Sequence, residues 1–314
     1  MADRVPVLFV AGTGRTGSTL VGNILASTPG AVSVGEVRHI WTRGLRQNWL
    51  CGCGEPFASC QFWAAVLREG FGHPHRLDLA RLHASERQLL RLRTGMRALG
   101  WIHDPATIRG KHEYYLDAVE RLYAAIAKVS ESDAVVDSSK TPTYGAVLAV
   151  LESVDLRVLH LVRDPRATAY SWLNPKPSPD RGPGLEMDRI GVAKSAFLWT
   201  WWNGVSDGLW SARPDIPIGR LRYETFTRFP ESSLRSLRDK LLPELAGRPL
   251  GLTGETASLS VAHTVSGNPE RMKTGSVTIR SDERWRSGLA RRHQAVVLLI
   301  AGPGMLKYGY GRKS

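Results

Sequence analysis

At 314 residues the chain is long enough for one large α/β domain with a sizeable core, or at most two small ones. Hydrophobic residues make up 42% and charged residues 23%, without low-complexity tracts or repeats, which excludes a disordered or fibrous chain. The 42 basic residues outweigh 29 acidic ones, leaving a formal charge of +13 and a pI near 10, a surplus that fits nucleic acid, an anionic membrane surface or an anionic small molecule. The basic residues are spread along the chain and form no recognised nucleic-acid motif, so an anionic cofactor is the expected partner and nucleic acid is not. The longest late apolar run, Ala295–Ala301, is far too short to span a membrane, and the N-terminal segment carries Asp3 and Arg4 before its apolar run ends at glycines. A soluble, cytoplasmic protein is expected.

The chain opens with Val7-Leu8-Phe9-Val10-Ala11-Gly12-Thr13-Gly14-Arg15-Thr16-Gly17-Ser18-Thr19-Leu20. An apolar run gives way to glycines, an arginine and hydroxyls, and then to Val21, Ile24 and Leu25 at helical spacing; this predicts strand, tight loop and helix. Backbone N–H groups at such a helix start, reinforced by the helix dipole, make an anion site. The spacing is that of a Walker A loop with Gly12, Gly17 and Thr19 in place, but Ser18 stands where the lysine that reaches a triphosphate belongs. Arg15 supplies the cation instead, as a planar fork suited to phosphate or sulfate. Arg15-Thr16-Gly17-Ser18-Thr19-Leu20 resembles the 5′-phosphosulfate loop of sulfotransferases that use 3′-phosphoadenosine 5′-phosphosulfate (PAPS). The resemblance implies that Arg15, Thr16, Gly17, Ser18 and Thr19 bind that group.

Ala31–Val34 reads as a second strand and delivers Gly35-Glu36 at its carboxyl end, where ligands of open α/β sheets sit. The tyrosylprotein branch of the family has a similar Gly-Glu, which implies that Glu36 is the catalytic base. Cys51, Cys53 and Cys60, all three cysteines of the chain, then fall within ten positions among Trp49, Phe57, Phe62 and Trp63. Free thiols, a disulfide and a metal site all remain open; for a metal only His39 and His73 lie near in sequence to complete a ligand set. Residues 74–130 show two amphipathic helical series, Leu77 to Leu99 and Glu113 to Val129, expected to form a cap inserted at about residues 41–130, with the arginines from Arg76 to Arg97 on a solvated face.

Ala134–Val136 returns to strand and leads through Asp137-Ser138-Ser139 to Lys140 at the strand end, with Asp137 a candidate to orient Lys140 or Arg15. A lysine here recurs in related sulfotransferases, which implies that Lys140 meets the transferring sulfuryl oxygens; a point cation there stabilises developing charge. Leu156–Val162 forms another strand and runs into Arg163-Asp164-Pro165-Arg166-Ala167, with Pro165 suited to a first helical turn and Ser171 eight residues beyond Arg163. This block resembles the family's 3′-phosphate site and implies that Arg163 and Ser171 hold that phosphate. Residues 174–184 are too rich in proline for regular structure, and Gly191–Trp210 reads as an aromatic-rich helix that either packs in the core or floors an acceptor pocket. A strand from Ile218 brings Tyr223, which the resemblance places by the adenine, and Pro230–Leu245 reads as an amphipathic helix. In His263–Gly275 the resemblance makes Arg271 and Lys273 candidates to close over the 3′-phosphate, although the sequence departs from the basic loop of the cytosolic branch, and His263 is a rival base to Glu36. Ser281-Asp282-Glu283-Arg284-Trp285 reads as the capped start of a closing helix.

The expected fold is therefore a single α/β domain over residues 1–314, P-loop-like and three-layered, with a central parallel sheet, helices on both faces and a helical cap. The function implied is transfer of the sulfuryl group from PAPS, with PAP as product and no metal required, to a hydroxyl of a small-molecule, lipid or glycan acceptor, with peripheral contact to an anionic membrane as a further option. A P-loop kinase or NTPase, and a non-catalytic PAPS- or PAP-binding protein, are the alternative readings.

Overall fold

The apolar run at the N-terminus forms strand β1 (Val5–Gly12), and both of its faces are buried in the computed structural model of the chain, which describes residues 4–73, 76–182 and 184–311. Asp3, residues 74–75 at the start of the helical stretch, and Pro183 of the proline-rich segment lie outside the described residues. Val7, Phe9 and Ala11 enter one apolar core and Leu8 and Val10 the other. This is the period-two alternation of a central strand covered on both sides.

After β1 come α1 (Ser18–Leu25) and β2 (Ala31–Gly35), then a 3₁₀ turn at Val37–His39 and a π-helical turn at Ile40–Arg46. Four helices follow, α2 (Gln61–Phe71), α3 (Leu79–Leu89), α4 (Gly95–His103) and α5 (Ala106–Ser130), before β3 (Ala134–Lys140). The frame then runs α6 (Pro142–Leu148), β4 (Val154–Val162), α7 (Pro165–Leu173), α8 (Val192–Ser211), β5 (Ile218–Arg222), α9 (Tyr223–Arg228) and α10 (Pro230–Leu241). A small antiparallel sheet of β6 (Leu252–Thr253), β7 (Thr256–Leu259) and β8 (Gly275–Thr278) precedes α11 (Trp285–Gly288) and α12 (Arg291–Lys307). No described helix is long and apolar enough to cross a membrane.

Several expected boundaries move. The apolar series from Leu77 to Leu99 is two helices, because the chain leaves helical geometry after Leu89 and re-enters through a 3₁₀ turn at Leu92–Thr94. The closing helix starts at Trp285 rather than Ser281 and breaks at Ala290, whose extended backbone (ψ 141°) separates α11 from α12. The strand from Ile218 ends at Arg222, and Tyr223 opens a helix. In α8, Trp199 and Trp210 are core residues, whereas Phe197 is exposed.

The large sheet has the order β2-β3-β1-β4-β5 with every neighbour parallel. β1 and β4 pair without interruption from Val5↔Val154 to Gly12↔Leu161. The chain leaves β1 toward β2 and leaves β4 toward β5, so their carboxyl ends form the topological switch point where such sheets take ligands. Register slips occur on the same edge of the sheet. Phe9 faces Asp137 but Ala11 faces Lys140, giving β3 one extra residue, while β2 gains one between Ser33 and Gly35. Bulges of this kind re-aim side chains at strand ends. Lys140 emerges with φ 68°, in the left-handed region that non-glycine residues rarely adopt.

The bulge in β3 is held by Asp137, which is fully buried and accepts hydrogen bonds from the Ser139 N–H (2.7 Å) and the Tyr123 hydroxyl (2.5 Å). Its oxygens are thus occupied by these two groups rather than by the Lys140 ammonium or Arg15. Burial dominates its titration and pushes the carboxyl from 3.8 up to about 6, against the opposing pull of Ser139, Tyr123 and Lys140. A carboxyl that is easier to protonate in the folded chain contributes most to stability below pH 3.8 and loses that contribution as pH rises to about 6. Comparison of wild type with Asp137→Asn by urea denaturation should show the variant gaining roughly 2 kcal/mol relative to wild type between about pH 4 and about pH 6.5. A difference that does not change with pH would show that Asp137 titrates normally.

Candidate active site

At the switch point the chain turns from Gly12 through Thr13–Gly17 into α1. The Thr16 hydroxyl donates to the Thr13 carbonyl at 2.9 Å, and Gly17 closes the turn with φ 88°. Two close approaches require glycine: a Cβ on Gly17 would lie 2.5 Å from the Tyr223 ring, and one on Gly14 would lie 2.6 Å from Trp172. No side chain caps α1, so its first N–H groups, which lack intrahelical partners and carry partial positive charge, remain available to an anion.

One arginine lies within this loop and another beside it, and aromatic rings orient both. Arg15, with φ 68°, lays its guanidinium 4.6 Å over the Trp172 ring and directs one N–H to the Met187 sulfur at 3.3 Å. Arg163 lies 4.5 Å over the Tyr223 ring, donates to the Arg15 carbonyl at 3.1 Å and stands 3.4 Å from Asp282. Burial lowers the Arg15 pKa, partly offset by Glu36 and Glu270; an arginine stays charged regardless. The Nε atoms of both arginines are buried without a hydrogen-bond partner among the described residues.

The turn after β4 is built from its own sequence. Asp164 caps α7 by accepting from the Arg166 N–H at 2.8 Å, and Pro165 occupies the first turn where no N–H is needed. Arg166 folds back onto Asp164 (2.6 Å) and lies 4.4 Å over Trp285, so it is structural, leaving Arg163 to face the cleft. Ser171, two turns along α7, lines the same cleft.

The cleft has a volume of about 420 Å³ and is lined by the loop, Arg15, Arg163, Ser171, Tyr223, Glu36 and Lys140. A second cavity of about 370 Å³ adjoins it and shares Gly14, Glu36, Lys140, Trp172 and Met187. Glu36 and Lys140 thus stand where the two spaces meet. The Lys140 ammonium donates to one Glu36 oxygen, and His39 Nε2 lies 3.7 Å from the other. Burial pushes the Glu36 carboxyl up, but Lys140, Arg38 and Arg43 together hold it below its ordinary value of 4.5. Burial, with Arg38, Arg43 and Lys140 nearby, holds His39 well below 6.5, so its ring is neutral.

Most of the residues singled out by sequence converge here, but four do not. The Thr16 side chain is buried and bonded within the loop. Arg271 is almost fully buried and spends its guanidinium on the Thr264 carbonyl (2.8 Å), the Leu50 carbonyl (2.6 Å) and Asp180 (3.4 Å). Lys273 is exposed and faces Glu270 at 3.9 Å. His263 lies away from the cleft, its ring stacked on Phe62 at 4.9 Å. In place of Arg271 and Lys273, the structure brings Lys176 and Arg280 to the cleft, together with the Asp282–Arg284 pair that sequence assigned to a helix cap. His39, which its sequence position offers only as a metal ligand, stands beside Glu36 instead.

Comparisons with known proteins bear on the family and the fold. A sequence profile described as the Sulfotransferase family matches residues 6–242. Among solved structures, the sulfotransferase domain from the curacin biosynthetic pathway superposes with a TM-score of 0.52 at 18% identity, covering 99% of this chain and 99% of that one. The fold is thus the P-loop-like α/β frame of that domain. The sulfotransferase domain from the Synechococcus PCC 7002 olefin synthase (TM-score 0.46, 18% identity, 99% and 97% coverage) and sulfotransferase STF9 from Mycobacterium avium (0.45, 16%, 98% and 77%) are also similar. No curated protein matches the chain. The family match spans both the loop at Gly12–Leu20 and the turn at Arg163, and the chain belongs to the sulfotransferase family.

Proposed function

We propose that the protein transfers the sulfuryl group of PAPS to a hydroxyl group, releasing PAP. The observation that carries this reading is that the uncapped start of α1, Arg15, Arg163 and Ser171 line one cleft, at whose far end Lys140 and Glu36 open onto a second cavity. The partnerless, buried Nε atoms of Arg15 and Arg163 fit a site built for an anionic ligand.

In this reading the loop N–H groups and Arg15 hold the 5′-phosphosulfate, Arg163 and Ser171 hold the 3′-phosphate with Lys176 and Arg280 near by, and Tyr223 lies against the adenine. Glu36 accepts the acceptor's hydroxyl proton as that oxygen bonds to sulfur, and the bond from sulfur to the phosphate oxygen breaks. Lys140 neutralises charge on the transferring oxygens. Its contact with Glu36 serves both partners: it keeps the carboxylate ionised beforehand, and turning toward the sulfuryl oxygens frees that carboxylate for the proton. The cations come from the protein's own side chains.

The second cavity is where the acceptor would sit. Trp202, Leu198 and Ile190 offer apolar contact, Trp49 and Trp172 lie under guanidinium groups, and Arg38, Arg43 and Lys194 add positive charge; among the described residues Lys194 has no ion-pair partner and the Arg38 Nε no hydrogen bond. This lining favours a small-molecule, lipid or glycan alcohol or phenol that also carries an anionic group.

Titration calorimetry with PAP, ADP and ATP should show PAP binding tightest, and Arg163→Ala should weaken PAP by about 10- to 150-fold, the worth of a hydrogen bond to a charged group. Equal binding of ATP and PAP, with Arg163→Ala like wild type, would overturn the 3′-phosphate site. In a screen of phenols and alcohols with PAPS, Glu36→Gln should lower kcat by about 10²- to 10⁴-fold while leaving PAP affinity within a factor of a few. Because Glu36 titrates below 4.5, the acid limb of the wild-type rate profile should fall below that pH and be absent from the variant.

A further inference from the structure

Three cysteines and one histidine meet beside β2, away from both cavities. Cys51 and Cys53 sit on a tight turn in which the Cys51 N–H donates to the Glu55 carbonyl (2.8 Å) and the Gly54 N–H to the Cys51 carbonyl (2.9 Å), with Gly54 at φ 91°. Cys60 immediately precedes α2. The fourth member is neither His39 nor His73: it is His263, 203 residues beyond Cys60.

The Sγ atoms of Cys51 and Cys60 lie 3.6 Å apart, and those of Cys53 and Cys60 3.8 Å apart. His263 Nδ1 is 3.3 Å from the Cys60 sulfur and 3.9 Å from that of Cys51. All four donor atoms fall within 4.8 Å of one another. With Zn–S near 2.3 Å and Zn–N near 2.0–2.1 Å, a tetrahedral ion has S···S edges of about 3.8 Å and S···N edges of about 3.5 Å. We propose that Cys51, Cys53, Cys60 and His263 bind one structural zinc ion through three thiolates and Nδ1.

The donor set is soft and suits zinc over magnesium or calcium. Four protein ligands leave no open position, as in structural rather than catalytic sites. Stacking on Phe62 fixes the His263 ring with Nδ1 toward the sulfurs. A disulfide would consume two sulfurs and leave the third thiol and the imidazole without a role. Binding displaces three thiol protons to solvent and leaves the site with one negative charge. The ion braces the active site from outside: the Gly52 N–H donates to the Thr264 carbonyl (3.0 Å), and the neighbouring Val265 carbonyl accepts the N–H of Glu36 (2.9 Å).

Wild-type protein purified under reducing conditions should contain about one zinc per chain by plasma mass spectrometry. After chelation, cobalt(II) chloride should give thiolate-to-metal charge-transfer and tetrahedral d–d absorption that added zinc abolishes. Cys53→Ser and His263→Gln, at the two partly exposed ligands, should bind zinc at least about tenfold more weakly, and a chelator should lower the Tm of wild type more than theirs. The proposal is overturned if the reduced wild-type chain takes up neither zinc nor cobalt with thiolate absorption. It is also overturned by a native disulfide among the three cysteines, by iron that zinc does not displace, or by undiminished zinc in both variants.

Discussion

Glu36 and Lys140 reach one another from the ends of adjacent parallel strands, 104 residues apart in sequence, and much of the surrounding structure is needed to hold them there. Pairing two charges in a largely dry site gains little by itself, since each must give up water. The chain stabilises the arrangement from below, with a bulge in β3, a left-handed Lys140 and a buried Asp137 tied to Tyr123 and to the Ser139 backbone. On the other strand, a bulge in β2 and the Val265 carbonyl fix the backbone at Glu36. Strain at this point is local, and the apolar cores on both faces of the sheet offset it.

The cations of the main cleft are oriented mainly by rings and carbonyls. Trp172 supports Arg15 and Tyr223 supports Arg163, while the Arg15 carbonyl takes one N–H of Arg163. A guanidinium stacked in this way leaves its remaining N–H groups, the unpartnered Nε of each among them, for an anion and loses little entropy on binding. The same rings explain why Gly14 and Gly17 have no side chain: the loop must pass directly beneath Trp172 and Tyr223.

How much of this was legible depends on whether a signal was local. Arg15–Leu20 and Arg163–Ser171 could be read because a strand, a turn and a helix start are written in consecutive residues. The arginines further on could not be sorted in this way. Arg271 reads like any loop cation, yet only its packing against Thr264, Leu50 and Asp180 turns it into a buried clamp. Asp282 and Arg284 looked like a helix cap because an acid before Trp285 has the right spacing, whereas the helix starts later and the pair faces the cleft. Cys51, Cys53 and Cys60 were visible as a cluster, but no spacing rule reaches His263, which arrives only because a distant segment docks beside β2.

That docking has a consequence for solubility. β2 is an outer strand of the sheet, and an outer strand offers unpaired backbone groups to any passing chain. Here Val265 occupies that rim: its N–H goes to the Val34 carbonyl and its carbonyl takes the Glu36 N–H, while Cys51 pairs with its far side. At the opposite rim, β5 is only five residues long and carries Arg220 and Arg222. One margin of the sheet is capped by the chain itself at its carboxyl end and the other is short and charged, so edge-to-edge association between copies is opposed at both.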